Sequence, residues 1–187
     1  LSTLGMKDGI CVILGTGSIA LKRKGTDLER RGGWGYVLGD EGSGYALGRE
    51  ILRLFTKQAD HRGTPSYLYQ EIMKMYELKD PSDLIAKIMT NGAVNRTAVA
   101  KCAVLCDRKE TFEEVYPIMK EQAIQTAQMI NSFREKGMPV VITGGMTHNS
   151  AYMSVLRDYL KNFDIAEHEP VYGAYVYAQN HFCNKRK

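Results

Sequence analysis

Three glycine-containing clusters hold most of the residues whose types and spacing could do chemistry. Gly9-Ile10-Cys11-Val12-Ile13-Leu14 runs into Gly15-Thr16-Gly17-Ser18, and Pro139-Val140-Val141-Ile142-Thr143 runs into Gly144-Gly145. Glycine at the end of a strand lets the backbone turn sharply and come close to a ligand. Successive backbone N–H groups there can form a nest for phosphate oxygens, and the hydroxyls of Thr16 and Ser18 add donors. A single loop of this kind is as readily a tight turn; two in one small chain point to an anionic ligand. The third cluster is Gly39-Asp40-Glu41-Gly42-Ser43-Gly44, where a helix should begin. Acids in a first turn offset the helix dipole, but capping gives no reason for three glycines or for Trp34 on the approach. A carboxylate accepts hydrogen bonds from hydroxyls and an aromatic face covers apolar patches, so this combination suits a sugar.

Gly15-x-Gly17-x-x-Ala20 also fits the dinucleotide fingerprint, with Asp40 and Glu41 about 20 positions further on. That fingerprint needs a helix straight after the loop. The turn at Lys24-Gly25-Thr26-Asp27 arrives before a helix could complete two turns, and Gly32-Gly33 breaks the segment again. A hairpin fits these residues, and a Rossmann dehydrogenase does not.

The elements that must position the clusters follow from periodicity. Residues 9–14 read as a central strand buried on both faces. Ile19 to Lys24 and Leu28 to Arg31 read as two strands in hairpin order. Leu47, Ile51, Leu54 and Phe55 give one apolar stripe, predicting a helix from 41–43 to about Lys57. Residues 64–136 read as a helical block, with a start signal at Asp80-Pro81-Ser82-Asp83 and a capping box at Thr111-Phe112-Glu113-Glu114. Gly137 and Pro139 close it. A second buried strand at 139–143, a helix from about Asn149 to Leu160 and a short edge strand at 165–167 follow. Pro170 then starts a last helix carrying Val171, Ala174, Val176 and Ala178.

The chain has 187 residues, 44% hydrophobic, enough for a full core and against intrinsic disorder. No apolar run approaches the roughly 18 residues of a membrane helix, and no signal peptide opens the chain, so a cytoplasmic protein with no membrane partner is expected. A net charge of +4, scattered, gives no argument for nucleic acid. Cys11, Cys102, Cys106 and Cys183 contain no CxxC pair, and Cys102 with Cys106 reads as two buried small hydrophobes. His61, His148, His168 and His181 show no ligand spacing; no metal site is expected in the chain itself.

Gly15-Thr16-Gly17-Ser18, Gly32-Gly33-Trp34-Gly35 and Gly39-Asp40-Glu41-Gly42-Ser43-Gly44, in that order, resemble the N-acetylglucosamine kinases of the BadF/BadG/BcrA/BcrD group of actin-like, hexokinase-like ATPases. Val140-Val141-Ile142-Thr143-Gly144-Gly145 is similar to their adenosine motif, and Pro170-Val171-Tyr172-Gly173-Ala174 to their closing helix. The resemblance implies an α/β fold: an RNase H-like mixed sheet flanked by helices, with a helical insertion. It implies ATP, with Mg2+ carried on it, and an amino sugar as substrate. Thr16 and Gly17 would contact the phosphates, Gly144 and Gly145 the adenosine, and Ala100 a further part of the nucleotide. Ser18 and Ile19 would border the sugar, Gly33, Trp34 and Gly35 would line its site, and Asp40 would accept its hydroxyls.

The departures are also informative. Members of that family carry an Asp- and Gly-rich first phosphate loop in an N-terminal lobe, and a catalytic Asp shortly before the strand ending in Gly-Thr-Gly-Ser. Neither pattern is present: Asp8 is the single acid before Gly15 and lies in the turn entering the strand. The sequence opens on Leu1 in mid-phrase. The expectation is therefore a C-terminal nucleotide- and sugar-binding lobe, residues 1–187, without its own catalytic base and missing its N-terminal lobe. Exposed faces would favour a homodimer. Two rivals remain: a non-catalytic binding fragment, and an ATPase activator of the same group that drives electron transfer. The cysteine spacing argues against the second.

Overall fold

The computed structural model describes residues 7–167, together with Tyr172, Tyr175 and Gln179. β1 (Gly9–Leu14), β2 (Ser18–Lys24) and β3 (Asp27–Gly32) form an antiparallel meander. β6 (Val140–Thr143) runs parallel to β1, and β7 (Asp164–Ile165) parallel to β6, giving the order β3-β2-β1-β6-β7. The two glycine-ended strands are thus neighbours in the centre of one sheet, with Ile13 opposite Thr143. Their nearly continuous apolar sequences are what a parallel pair covered on both faces requires. This mixed sheet flanked by helices is the fold the motifs imply, and the hairpin at Gly25 replaces the helix a dinucleotide fingerprint would need.

α1 (Gly44–Ala59) starts where Ser43 Oγ accepts from the Ala46 N–H, and buries Leu47, Ile51, Leu52 and Phe55. α2 (Tyr67–Met75), α3 (Leu84–Ile88) and α4 (Arg96–Ala100) lie in the helical block; α4 runs on into a 3-10 segment, Lys101–Asp107. α5 (Phe112–Asn131) crosses behind, and α6 (Ser150–Tyr159) packs on it. The core joins both layers, from Ile10, Val12 and Leu14 of the sheet to Met119, Ala123, Ile130 and Tyr152 of the helices.

Several expectations need correcting. Residues 64–136 are not wholly helical: β4 (Met89–Thr90) and β5 (Ala93–Val94) form a two-stranded ribbon around Asn91 and Gly92, both with positive φ. Asn-Gly is the natural sequence for such a turn. The capping box at Thr111 does not form. Thr111 Oγ1 donates to the carbonyls of Leu105 and Arg108, and Glu114 instead accepts from Ser66 and Gln58. Asp80 and Asp83 do form one. α5 ends at Asn131, and the edge strand is Asp164–Ile165 rather than 165–167. Cys102 and Cys106 are buried as anticipated. The helix placed at Pro170, with Val171, Ala174, Val176 and Ala178, lies outside the described residues, as do Cys183, His168 and His181.

Candidate functional site

The turn between β1 and β2 is the centre of the site. Gly15 N–H donates to the Gly17 carbonyl at 2.9 Å, closing the turn on itself. The Gly15 carbonyl in turn accepts from Gly44 N–H at 2.8 Å, which pins the start of α1 beneath it. One face of this turn opens onto a cleft of about 520 Å³. Gly15, Thr16, Gly44, Ala100 and Gly145 line it, with Met146 and His148 from the 3-10 turn after β6. A Cβ at Gly15 or at Gly145 would meet nothing within 4 Å. Small residues hold this space open, in the volume range of small-molecule sites.

A further wall of the cleft is the 3-10 segment with Lys101, Ala103, Val104 and Asp107. It is fixed to α6 by two side chains: Asn149 Nδ2 donates to the Ala103 carbonyl at 2.7 Å, and Asp107 Oδ1 accepts from the Ala151 N–H at 2.7 Å. Behind this wall burial pushes the Cys102 and Cys106 thiols up to about 11 and about 12. Tyr76, whose hydroxyl donates to the Ala98 carbonyl, is likewise raised, first by burial.

Asp40 lies against Gly17 of the same turn. It is 4% exposed and has a φ of 65°, a left-handed conformation that aspartate tolerates better than most residues. Asp40 Oδ1 accepts the Ser18 N–H at 3.1 Å. A Cβ at Gly17 would lie 2.9 Å from Asp40 Oδ2, so glycine is required for the carboxylate to sit there. Asp40 does not cap α1; Ser43 does, and the Asp40 carbonyl accepts from Ser43 N–H. Gly33 N–H donates to the Ser18 carbonyl, and the Ile19 side chain fills the space a Gly33 side chain would need. Ser18 Oγ is buried with no hydrogen-bond partner among the described residues.

The chain therefore brings Thr16, Ala100 and Gly145 together in one cleft, and Ser18, Ile19, Gly33 and Asp40 into one cluster across Gly17. Gly144 supports the first group from behind rather than lining it. Trp34 and Gly35 continue from Gly33 into a loop closed by the Gly35 carbonyl, which accepts from Gly39 N–H at 2.8 Å. Trp34 is 65% exposed, with the Arg30 guanidinium 4.9 Å from its ring. Sequence reasoning passed over Arg96, Lys101, Asp107 and Asn149. Asn149 had a capping signal, whereas the other three are ordinary charged residues that the fold carries to the site.

The mixed sheet flanked by helices, with the cleft at the ends of β1 and β6, is the fold of the actin/hexokinase-like ATPases. The chain belongs to the BadF/BadG/BcrA/BcrD ATPase family, which it matches over residues 2–178. It is 32% identical over 155 residues to the N-acetylmuramic acid/N-acetylglucosamine kinase of Clostridium acetobutylicum, covering 79% of this chain and 51% of that protein. It is 31% identical over 178 residues to the N-acetyl-D-glucosamine kinase of Dictyostelium discoideum, covering 88% and 56%. The chain thus spans about half the length of the curated relatives it matches. Among solved structures, proteins described as N-acetylglucosamine kinases from Chromobacterium violaceum and Porphyromonas gingivalis share the fold. Their TM-scores are both 0.75, at 24% and 23% identity. The matches cover 94% and 96% of this chain, and 61% and 63% of those.

Proposed function

We propose that this chain is the C-terminal lobe of an ATP-dependent kinase that phosphorylates an amino sugar, N-acetylglucosamine in the first place. The observation that carries this reading is the β1–β2 turn, whose Gly15 and Thr16 line the open cleft and whose Gly17 and Ser18 meet the Asp40 carboxylate. A phosphoryl donor and a hydroxyl acceptor held at one turn would be close neighbours, and phosphoryl transfer is mostly a matter of such positioning. The two curated relatives, both named as kinases of N-acetylglucosamine, support it.

The residues present suit a nucleotide. The cleft has room, small residues line it, and Gly145 leaves space beside the backbone. Thr16 and Gly17 would hold the phosphate end, and Ala100 and Gly145 the adenosine, with Gly144 setting the course of the loop. ATP supplies the phosphoryl group, with Mg2+ carried on it. Asp40 would accept a sugar hydroxyl, Ser18 and Ile19 would border the ring, and Gly33, Trp34 and Gly35 would flank it. Trp34, Val37 and Leu38, at 65, 72 and 77% exposure, form an apolar surface that a second lobe would cover. That lobe would also bring the carboxylate that takes the hydroxyl proton.

The test is sugar-dependent ADP release by the full-length protein, with N-acetylglucosamine, N-acetylmuramic acid and glucosamine compared. Turnover with an N-acetylated sugar and little with glucosamine is expected. ADP release that no sugar stimulates would overturn the reading in favour of an ATPase of another kind. The 187-residue chain assayed alone should fall short by at least the factor of about 10² to 10⁴ that a positioned base contributes.

A further inference from the structure

We propose that Arg96 is a positioning residue, holding Asp40 for the sugar hydroxyl and linking that contact to the wall of the nucleotide cleft. The inference rests on the kinase reading above. A carboxylate as buried as Asp40 is costly unless its charge is answered. One oxygen, Oδ1, is answered by the Ser18 N–H. The other, Oδ2, accepts no hydrogen bond among the described residues and lies 3.9 Å from Arg96 Nη1. That separation is longer than a hydrogen bond. The guanidinium therefore balances the charge while Oδ2 keeps lone pairs for a hydroxyl donor.

Arg96 is itself held in place. Its guanidinium lies 5.6 Å from the Tyr36 ring, and Tyr36 meets Tyr45 of α1 edge-on at 5.2 Å. It is the first residue of α4, whose start is capped by Asn95 Oδ1 accepting from Ala98 N–H. The last residue of α4 is Ala100, which lines the nucleotide cleft. Between them the Val99 carbonyl presses on Gly48 of α1, where any added Cβ would collide with it. A Cβ on Gly44 would likewise touch Ala100 at 3.4 Å. α4 is thus a short, closely packed strut with the sugar-side arginine at one end and a nucleotide-side residue at the other. A hydroxyl that draws Asp40 or Arg96 into a new position acts on the element that walls the cleft.

The experiment compares Arg96→Gln and Arg96→Lys in the full-length protein. Arg96 is about half exposed, so Arg96→Gln should leave thermal stability nearly unchanged. The KM for N-acetylglucosamine should rise by more than twofold and up to roughly fivefold, the upper range for a half-exposed ion pair. The affinity for ATP alone should stay within about twofold, while any gain in ATP affinity on adding sugar should shrink, since such coupling is reciprocal. Arg96→Lys should recover part of the sugar KM, because the charge returns without the planar face that lies on Tyr36. Asp40→Asn combined with Arg96→Gln should be less than additive. A sugar KM within twofold of wild type, or equal losses in both affinities accompanied by a lower melting temperature, would overturn the assignment. A wild-type protein that binds no amino sugar in calorimetry would instead overturn the kinase reading and this inference with it.

Discussion

Gly144 and Gly145 stand side by side after β6, yet a methyl group added to each would meet opposite surroundings. At Gly144, where φ is 104°, it would lie 2.5 Å from the Leu14 carbonyl oxygen. At Gly145 it would meet nothing within 4 Å. The pair after β1 repeats the division. Gly15 faces open cleft, whereas Gly17 is pressed against Asp40 Oδ2. In each pair one glycine lets the chain pass close to itself, and the other leaves room for something that is not the chain. Two glycines are needed in each loop because the backbone must turn tightly and remain bare on its outer face.

The largest effect should come from breaking the packed member. Gly144→Ala adds a left-handed strain and a steric clash, each costing on the order of 1–3 kcal/mol. Urea denaturation should show a loss of roughly 3 kcal/mol or more, with nucleotide and sugar binding falling together. A variant as stable as wild type would show that the loop relaxes freely and that the division between the two glycines is not real.

Asp40→Asn sharpens the comparison on the Gly17 side. The amide can still accept the Ser18 N–H through one oxygen, but it replaces Oδ2 by a donor. Loss of a charged hydrogen bond of about 1.5–3 kcal/mol predicts a sugar affinity roughly ten- to a hundredfold weaker, read by calorimetry, with ATP affinity retained. Unchanged sugar affinity would leave Asp40 as a brace for the turn alone.

Gly145→Val tests the open member. The added side chain enters cleft space without strain, so stability should hold to within about 0.5 kcal/mol while ATP affinity drops and sugar affinity stays. Loss of stability together with both affinities would make Gly145 structural as well. The smallest change near neutral pH is expected in the wall behind the cleft. The folded thiols of Cys102 and Cys106 are raised to about 11 and about 12. Unfolded thiols titrate near 8.5, so above that point the unfolded chain binds fewer protons than the folded one. Stability should therefore be level below about pH 8 and fall as pH rises toward 11, by about 1.4 kcal/mol for each thiol at pH 9.5, or about 3 kcal/mol for the pair. Cys106→Ala should flatten the slope measured in urea titrations; an unchanged slope would place its origin elsewhere.

The parts legible in the residues are those whose signals are local. An unbroken apolar run marks a strand covered on both faces, and β1 and β6 read that way. Lys24-Gly25-Thr26-Asp27 names a hairpin turn, and the apolar stripe through Leu47, Ile51 and Phe55 names α1, although its start is Gly44 rather than 41–43 and its cap is Ser43 rather than an acid. Even the Asn91-Gly92 turn was available in the residues, but surrounding helix signals hid a ribbon of two-residue strands. The tertiary structure alone decided which glycine of each pair packs and which stays open, because that depends on what another segment places opposite. It also decided that Thr111 turns back to the Leu105 carbonyl instead of capping α5, since a hydroxyl takes whichever acceptor the neighbouring turn presents. Arg96 is the clearest case. Its helix of five residues has no distinguishing pattern, and 56 positions separate it from Asp40 in the sequence. Only the packing of α4 on α1 brings the two charges to 3.9 Å, and no local rule encodes a contact whose partners meet through a third element.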